Sequence, residues 1–325
     1  MGKKIENLRW KPMWVSHLGC IKGCLNYLNL NISDAWLFGG TGHAFIINMH
    51  EVVCPSGPTA WHTEMLPILG KNIGYTIDGV LGLKSHDDFA EKKRLAWEKT
   101  KQAINEGFPC YGWELDIPEF YVVHGYDDIG YYYSGPLCDN GKGPKPWNEL
   151  GNSQIGLVEM YSIRLGQAAD DIKTIKESLQ FALEHSESPA KWIYPNYKSG
   201  LAGFDTWIQA LENGKAIGFG MAYNAAVWSE CRGFAVGFLR EAKKRVGKLD
   251  SLFDGAVGYY ETVAQNLKKV SEMFPFPPPG WKITTSETDE IKDKKRCQAA
   301  INHISEARKA EEKGLDSLRR IVAEL

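Results

Sequence analysis

Three aromatic and β-branched runs, CYGWEL at 110–115, EFYVVHGYDD at 119–128 and GYYYSGP at 130–136, follow one another with turn residues between them. Such residues fit a pleated, half-buried surface, and short gaps rich in Asp, Gly and Pro make hairpins rather than crossovers. The spacing predicts successive antiparallel strands, and GLVEMYSIRL at 156–165 is a further run that extends the same sheet. Beyond about residue 165 apolar residues recur every three or four positions, the period of a helix with one buried face. The stripes are Ile172, Ile175 and Leu179; Leu201, Phe204, Trp207, Ile208 and Leu211; Tyr260, Val263, Leu267 and Val270; and Ile301, Ile304, Leu315, Leu318 and Ile321. Strands followed by helices predict an α+β fold in two domains, 1–165 built on an antiparallel sheet and 166–325 mostly α-helical. FPFPPPGW at 274–281 cannot continue a helix, and ITTSETDEIKDK at 283–294 reads as an exposed connection.

Composition narrows the function classes. With 38 Lys and Arg against 40 Asp and Glu, the chain carries no field of one sign, so neither nucleic acid nor an anionic membrane is an expected partner. The start, MGKKIENLRW, lacks the apolar core of a signal peptide, and no run of roughly eighteen apolar residues follows, so a cytoplasmic protein is expected. Gly2 suggests N-myristoylation, but Glu6 stands where that signal takes Ser or Thr. Seven cysteines, an odd number without paired spacing, fit a reducing compartment.

One of those cysteines is a candidate nucleophile. In HLGCIKGCLNYL at 17–28, Cys20, Cys24 and Leu28, flanked by Ile21 and Leu25, fall at helical spacing, with Cys20 read at the opening of the helix. There the positive end of the helix dipole stabilises a thiolate, the form that attacks carbonyl carbon. Cys24, one turn on, reads as packing or as a resolving thiol. A second helix is expected from Asp88 to Asn105, with Phe89, Ala96, Trp97, Ala103 and Ile104 on one face and Ser85 with Asp88 resembling a capping box. GGTGHAF at 39–45 is a glycine-rich loop in which Gly40 and Gly42 allow close backbone approach to a ligand and His43 is a candidate base. Neither His17, Cys20 and Cys24 nor His50, Cys54 and His62 has the paired spacing of a zinc site, and no metal is expected. In YNAAVWSECR at 223–232, Asn224, Glu230 and Arg232 interrupt an apolar helix, which implies either an internal ion pair or a contribution to a cleft.

The order of cysteine helix, second helix, strand and VVxGYDD hairpin resembles the papain-like thiol enzymes. Within them the chain is most similar to the N-terminal domain of the butirosin-biosynthesis acyltransferase family, and more distantly to the double-glycine leader peptidases. The matching segments are HLGCIKGCLNYL with DAWLFGGTGHAF at 34–45, and GFPCYGWELDIPEFYVVHGYDDIGYYYSGP at 107–136; KSGLAGFDTWIQAL and CRGFAVGFLREA extend the likeness into the helical half. The resemblance implies that Cys20 forms a thioester with an acyl donor. Where the family has its histidine base this chain has Glu119, and where it has Asp or Asn before a Pro this chain has Gly135. His124 lies on the opposite face of the strand by alternation, unless a β-bulge re-aims it.

A carboxylate beside a thiol raises the thiol pKa, so Glu119 serves as base only if it is desolvated and takes the thiol proton directly, with Glu114 and Asp116 tuning it. Trp113 and Tyr121 are the aromatic candidates for ligand contact. The expected activity is cysteine-dependent acyl transfer or amide hydrolysis on a small amine or peptide-like substrate. Cys20 is the nucleophile, Glu119 or His43 the proton acceptor, and Trp113, Glu114, Tyr121, Gly40 and Gly42 contact substrate. The chemistry needs no cofactor, and a carrier protein is one way for the acyl group to arrive. The alternative is a catalytically lapsed papain-like protein that binds a small molecule or peptide. The C-terminal helix, ending IVAEL, is a candidate seam for a homodimer.

Overall fold

The aromatic runs form strands where their alternation places them. A computed structural model describes residues 2–187, 189–276 and 289–325. In chain order the elements are β1 (Lys3–Lys4), α1 (Ser16–Tyr27), α2 (Asp34–Gly40), β2 (Asn48–His50), α3 (Met65–Ile73), β3 (Tyr75–Leu83), α4 (Phe89–Glu106), β4 (Cys110–Trp113), β5 (Phe120–Tyr126), β6 (Gly130–Ser134), β7 (Lys142–Pro146) and β8 (Leu157–Leu165). They continue with α5 (Asp171–Glu187), β9 (Tyr197–Ser199), α6 (Gly200–Glu212), α7 (Gly218–Val246), α8 (Asp250–Met273), α9 (Asp289–Lys292) and α10 (Lys294–Glu324). The expected α+β class holds: an antiparallel sheet with helices. The turn and connection expected at 274–294 fall largely outside the described residues.

The chain divides into two compact units, residues 1–32 with 74–168, and residues 33–73 with 169–325. The chain passes from the first unit to the second at 168/169, and residues 33–73 go with the helices rather than with the sheet. The reason is packing: the Phe38 and Phe234 rings lie 4.3 Å apart, and a Cβ on Gly39 would fall 1.9 Å from the Phe238 ring, so α2 lies directly on α7.

In the first unit the strands run in the order β3, β8, β4, β5, β6, β7, all pairs antiparallel, and β1 also pairs with β5. One face receives α1, whose His17 ring stacks on Phe120 at 4.0 Å and lies 5.4 Å from Tyr111. The other receives α4, whose Trp97 meets Tyr126 and Tyr131 edge-on at 5.8 and 5.0 Å. Full burial of rings of this size stabilises by about 1.5–3 kcal/mol each. The expected capping box at Ser85 is not formed; Asp88 is the N-cap of α4 and makes no side-chain cap bond.

In the second unit Tyr260, Val263, Leu267 and Val270 of α8 are wholly buried, as are Ile304, Leu318 and Ile321 of α10. The apolar stripe of α10 is thus used within its own unit, where Gly314 lets the Tyr260 ring approach to 2.9 Å of a Cβ position. Arg232 resolves the polar interruption of α7: it pairs bidentately with Glu311 at 2.9 and 2.8 Å and donates to the carbonyls of Ala44 and Ile46. Asn224 donates to Cys54 O and Gly220 O and accepts from Trp228 Nε1. The internal ion pair is therefore present, with Glu311 as the partner of Arg232.

Candidate functional site

Helix α1 begins at Ser16, four residues before Cys20. Its N-cap, Val15, offers no side-chain acceptor. Segment 9–11 crosses one face of the helix: a Cβ on Gly19 would lie 2.4 Å from Lys11 O and one on Gly23 2.1 Å from Arg9 O, while Lys11 N–H donates to Gly19 O at 3.1 Å. Glycine is required at both positions by this close backbone approach.

The reading of Cys20 as the residue that opens the helix is corrected. It sits one turn in, where the dipole has fallen off, and is wholly buried. Desolvation holds its thiol well above the ordinary range, and Cys24 and Glu119 push it further in the same direction. Cys24 is equally buried, with its thiol also raised by desolvation and its Sγ 4.0 Å from Cys110 O. Neither thiol is a thiolate near neutral pH.

The group that stands at the helix start is the Ser16 hydroxyl. It donates to Glu119 Oε2 and accepts from the Phe120 N–H at 3.0 Å. Glu119 is held by its loop, the connection between β4 and β5. Glu114 N–H donates to Glu119 O at 2.8 Å, Glu119 N–H donates to Ile117 O at 2.7 Å, and Glu114 takes a left-handed φ of 57° to close the turn. Next along α1, His17 Nε2 lies 3.2 Å from the Tyr111 hydroxyl. Ser16 and His17 are buried, and Glu119 is half-buried.

The remaining expected residues divide. Trp113 faces Phe120 in register, with rings 5.0 Å apart, and shares the α1 side of the sheet. Tyr121 pairs with Gly112 and so points to the opposite side, where its hydroxyl accepts from Ile117 N–H and donates to Pro136 O. Gly135 is explained by this ring: a Cβ there would lie 2.6 Å from Tyr121 Cδ1. Glu114 accepts from Ser153 Oγ at 2.7 Å, and Asp116 pairs with Lys142 at 2.8 Å. A β-bulge does fall at His124, between Val123 and Gly125. Burial lowers its imidazole pKa, and a backbone hydrogen bond with Tyr133 opposes that shift.

His43, Gly40 and Gly42 belong to the second unit. Gly42 has a φ of 73°, which favours glycine, and a Cβ there would meet the Phe181 ring at 2.6 Å; one on Gly40 would meet Ile73 at 3.0 Å. These glycines serve packing. His43 is 1% exposed, lies edge-on to Trp61 at 5.7 Å, and its Nδ1 is 3.8 Å from Cys231 Sγ. Burial lowers its pKa to about 4, with the Arg232 charge acting in the same direction and a backbone hydrogen bond against it. It is a neutral core imidazole at pH 7, which is the opposite of a poised general base.

Sequence reasoning missed Ser16 and Tyr111 and weighed His17 only as a metal ligand. A serine beside an apolar-periodic run marks a helix start, which gives Ser16 a place but no chemistry. Sequence reasoning also missed Glu159 on β8, which is 8% exposed, and whose carboxyl desolvation pushes up to about 7 despite a hydrogen bond with Tyr161. Among the described residues no group of three or more His, Cys, Asp or Glu side chains could hold a metal ion, and no helix is long and apolar enough to cross a membrane. No family model matches the chain, and no curated protein matches it.

Proposed function

We propose that this chain is a papain-like protein in which thiol catalysis has lapsed, and that it binds a small amine or peptide-like molecule at the start of α1. The observation that carries the reading is the arrangement at the helix start. A hydroxyl–carboxylate pair, Ser16 with Glu119, occupies it, and the nearest thiol, Cys20, is buried and protonated. Glu119 is the anionic group that a protonated amine would meet, and Phe120 and Trp113 supply aromatic surface beside it.

The test is a thermal-shift and calorimetric panel of simple primary amines and short peptides with a free amino terminus. A bound ligand raises Tm with concentration by mass action. The expected result is a shift in the wild type that is lost in Glu119→Gln. No shift with any member, together with selective alkylation of Cys20 at low pH, would restore the cysteine-dependent acyl-transfer reading.

A second reading is favoured by one specific contact. Because the Ser16 hydroxyl donates to a carboxylate, Ser16 could take the nucleophile's place with Glu119 as base, transferring or hydrolysing an acyl group through an ester. Labelling by a fluorophosphonate that disappears in Ser16→Ala would establish it, and absence of label in the wild type would remove it.

A further inference from the structure

On the α1 side of the sheet, register lines up side chains from strand to strand. Trp113 stands opposite Phe120, and continuing the β4–β8 register one residue past Gly112 and Met160 sets Glu159 opposite Trp113. Leu81 is opposite Glu159 in turn. Facing residues of antiparallel strands point to the same side, so Phe120, Trp113, Glu159 and Leu81 form one row. The adjacent row is Val122, Tyr111, Tyr161 and Gly79, where a Cβ on Gly79 would lie 2.2 Å from the Tyr161 ring.

Two polar atoms of the first row are buried without a hydrogen-bond partner, Trp113 Nε1 and Glu159 Oε2, in residues 6% and 8% exposed. One is a donor and the other an acceptor, and they lie on neighbouring strands. Tyr161 on its own strand hydrogen-bonds the Glu159 carboxyl, Tyr111 on β4 couples to that carboxyl and to Tyr161, Cys24 of α1 and Tyr75 of β3, the His17 ring of α1 lies 6.3 Å from the Tyr161 ring, and β3 sets Leu81 opposite Glu159 and Gly79 opposite Tyr161. No positive charge contributes to its shift, so the site is not built to neutralise a carboxylate. The row ends at Leu81, which is 51% exposed, and begins beside half-buried Glu119.

A donor and an acceptor on neighbouring strands match a carboxamide, whose carbonyl accepts and whose N–H donates. We infer that Trp113 Nε1 and Glu159 Oε2 form an amide-reading subsite for the ligand whose amine rests on Glu119. The inference rests on the proposed binding function and deepens it to a class: a short amidated or peptide-like chain with a free amino terminus. From β5 to β8 is two strand spacings, roughly 10 Å, which an extended chain of about three residues spans.

Calorimetric titration with triglycine amide and triglycine methyl ester provides the test, because the ester keeps the carbonyl and loses the N–H. Triglycine amide should bind at least tenfold more tightly. Glu159→Leu should erase that preference, whereas Glu159→Gln, which keeps a carbonyl acceptor, should retain it within about threefold. Trp113→Phe should weaken both probes alike. Equal binding of amide and ester to the wild type, with both lost in Glu119→Gln, would overturn the subsite and leave the binding function standing. No binding of either probe would remove both. The comparison of probes on the wild type keeps the answer independent of whether a variant folds.

Discussion

Ser16 bonds twice, so its replacement exposes two groups. Ser16→Ala leaves the Phe120 N–H and the Glu119 carboxylate without the hydroxyl, and the expected loss is about 1–3 kcal/mol, read from urea midpoints. Cys20 gives the complementary prediction. In the native protein iodoacetamide should modify the partly exposed Cys54, Cys138 or Cys297 first and reach Cys20 only after unfolding, as peptide mapping would show. Fast native labelling of Cys20 would contradict the burial described above. Glu119 was legible because counting back from Gly125 and Tyr126 fixes its place. Ser16 was not, because a thiol one turn along offers a stronger chemical signal than a hydroxyl that could equally be a cap. Glu159 was hidden for another reason: alternation in GLVEMYSIRL cannot tell which face of the strand is covered until β3 and β4 are known to flank it.

Elements that announce themselves by period were readable, and those defined by partners were not. The runs at 110–134 became β4, β5 and β6, and the C-terminal stripes became helices. β3 was missed because YTIDGVLGL is neither alternating nor rich in aromatics; nine paired positions along β8 make it a strand. Helix α1 depends on backbone approach as well as on its apolar face. Gly19→Ala or Gly23→Ala drives a methyl into a carbonyl oxygen of segment 9–11 and should cost about 1–3 kcal/mol, seen as a lower Tm. In the second unit, Glu311→Ala leaves the buried Arg232 guanidinium without its carboxylate, with an expected loss of about 3–5 kcal/mol in urea unfolding.

Across the whole molecule the two units respond to pH in opposite senses. Glu159, in the first, has a folded pKa of about 7 against an ordinary 4.5, so folding binds a proton and that unit loses stability as pH rises from about 4.5 through 7. His43 and His185, in the second, are lowered to about 4 and about 3 by burial from an ordinary 6.5, so that unit loses stability as pH falls below 6.5. Urea melts of Glu159→Gln should therefore gain on the wild type between pH 4 and pH 8, by an amount on the order of 3 kcal/mol. A gain that does not depend on pH would mean that the carboxyl is not the titrating group.

The division of the chain carries a consequence for how the protein is made. Residues 1–32 wait for 74–168, and 33–73 wait for 169–325. During vectorial synthesis α1 emerges long before the strands it covers, and α2 and α3 emerge before any of α5 to α10 exists. Cutting the gene near codon 165 would therefore sever the second unit from its own first segment and leave residues 33–73 with their apolar side chains exposed. A free-standing sheet domain calls for joining residue 32 to residue 74, and a free-standing helical domain for joining 73 to 169.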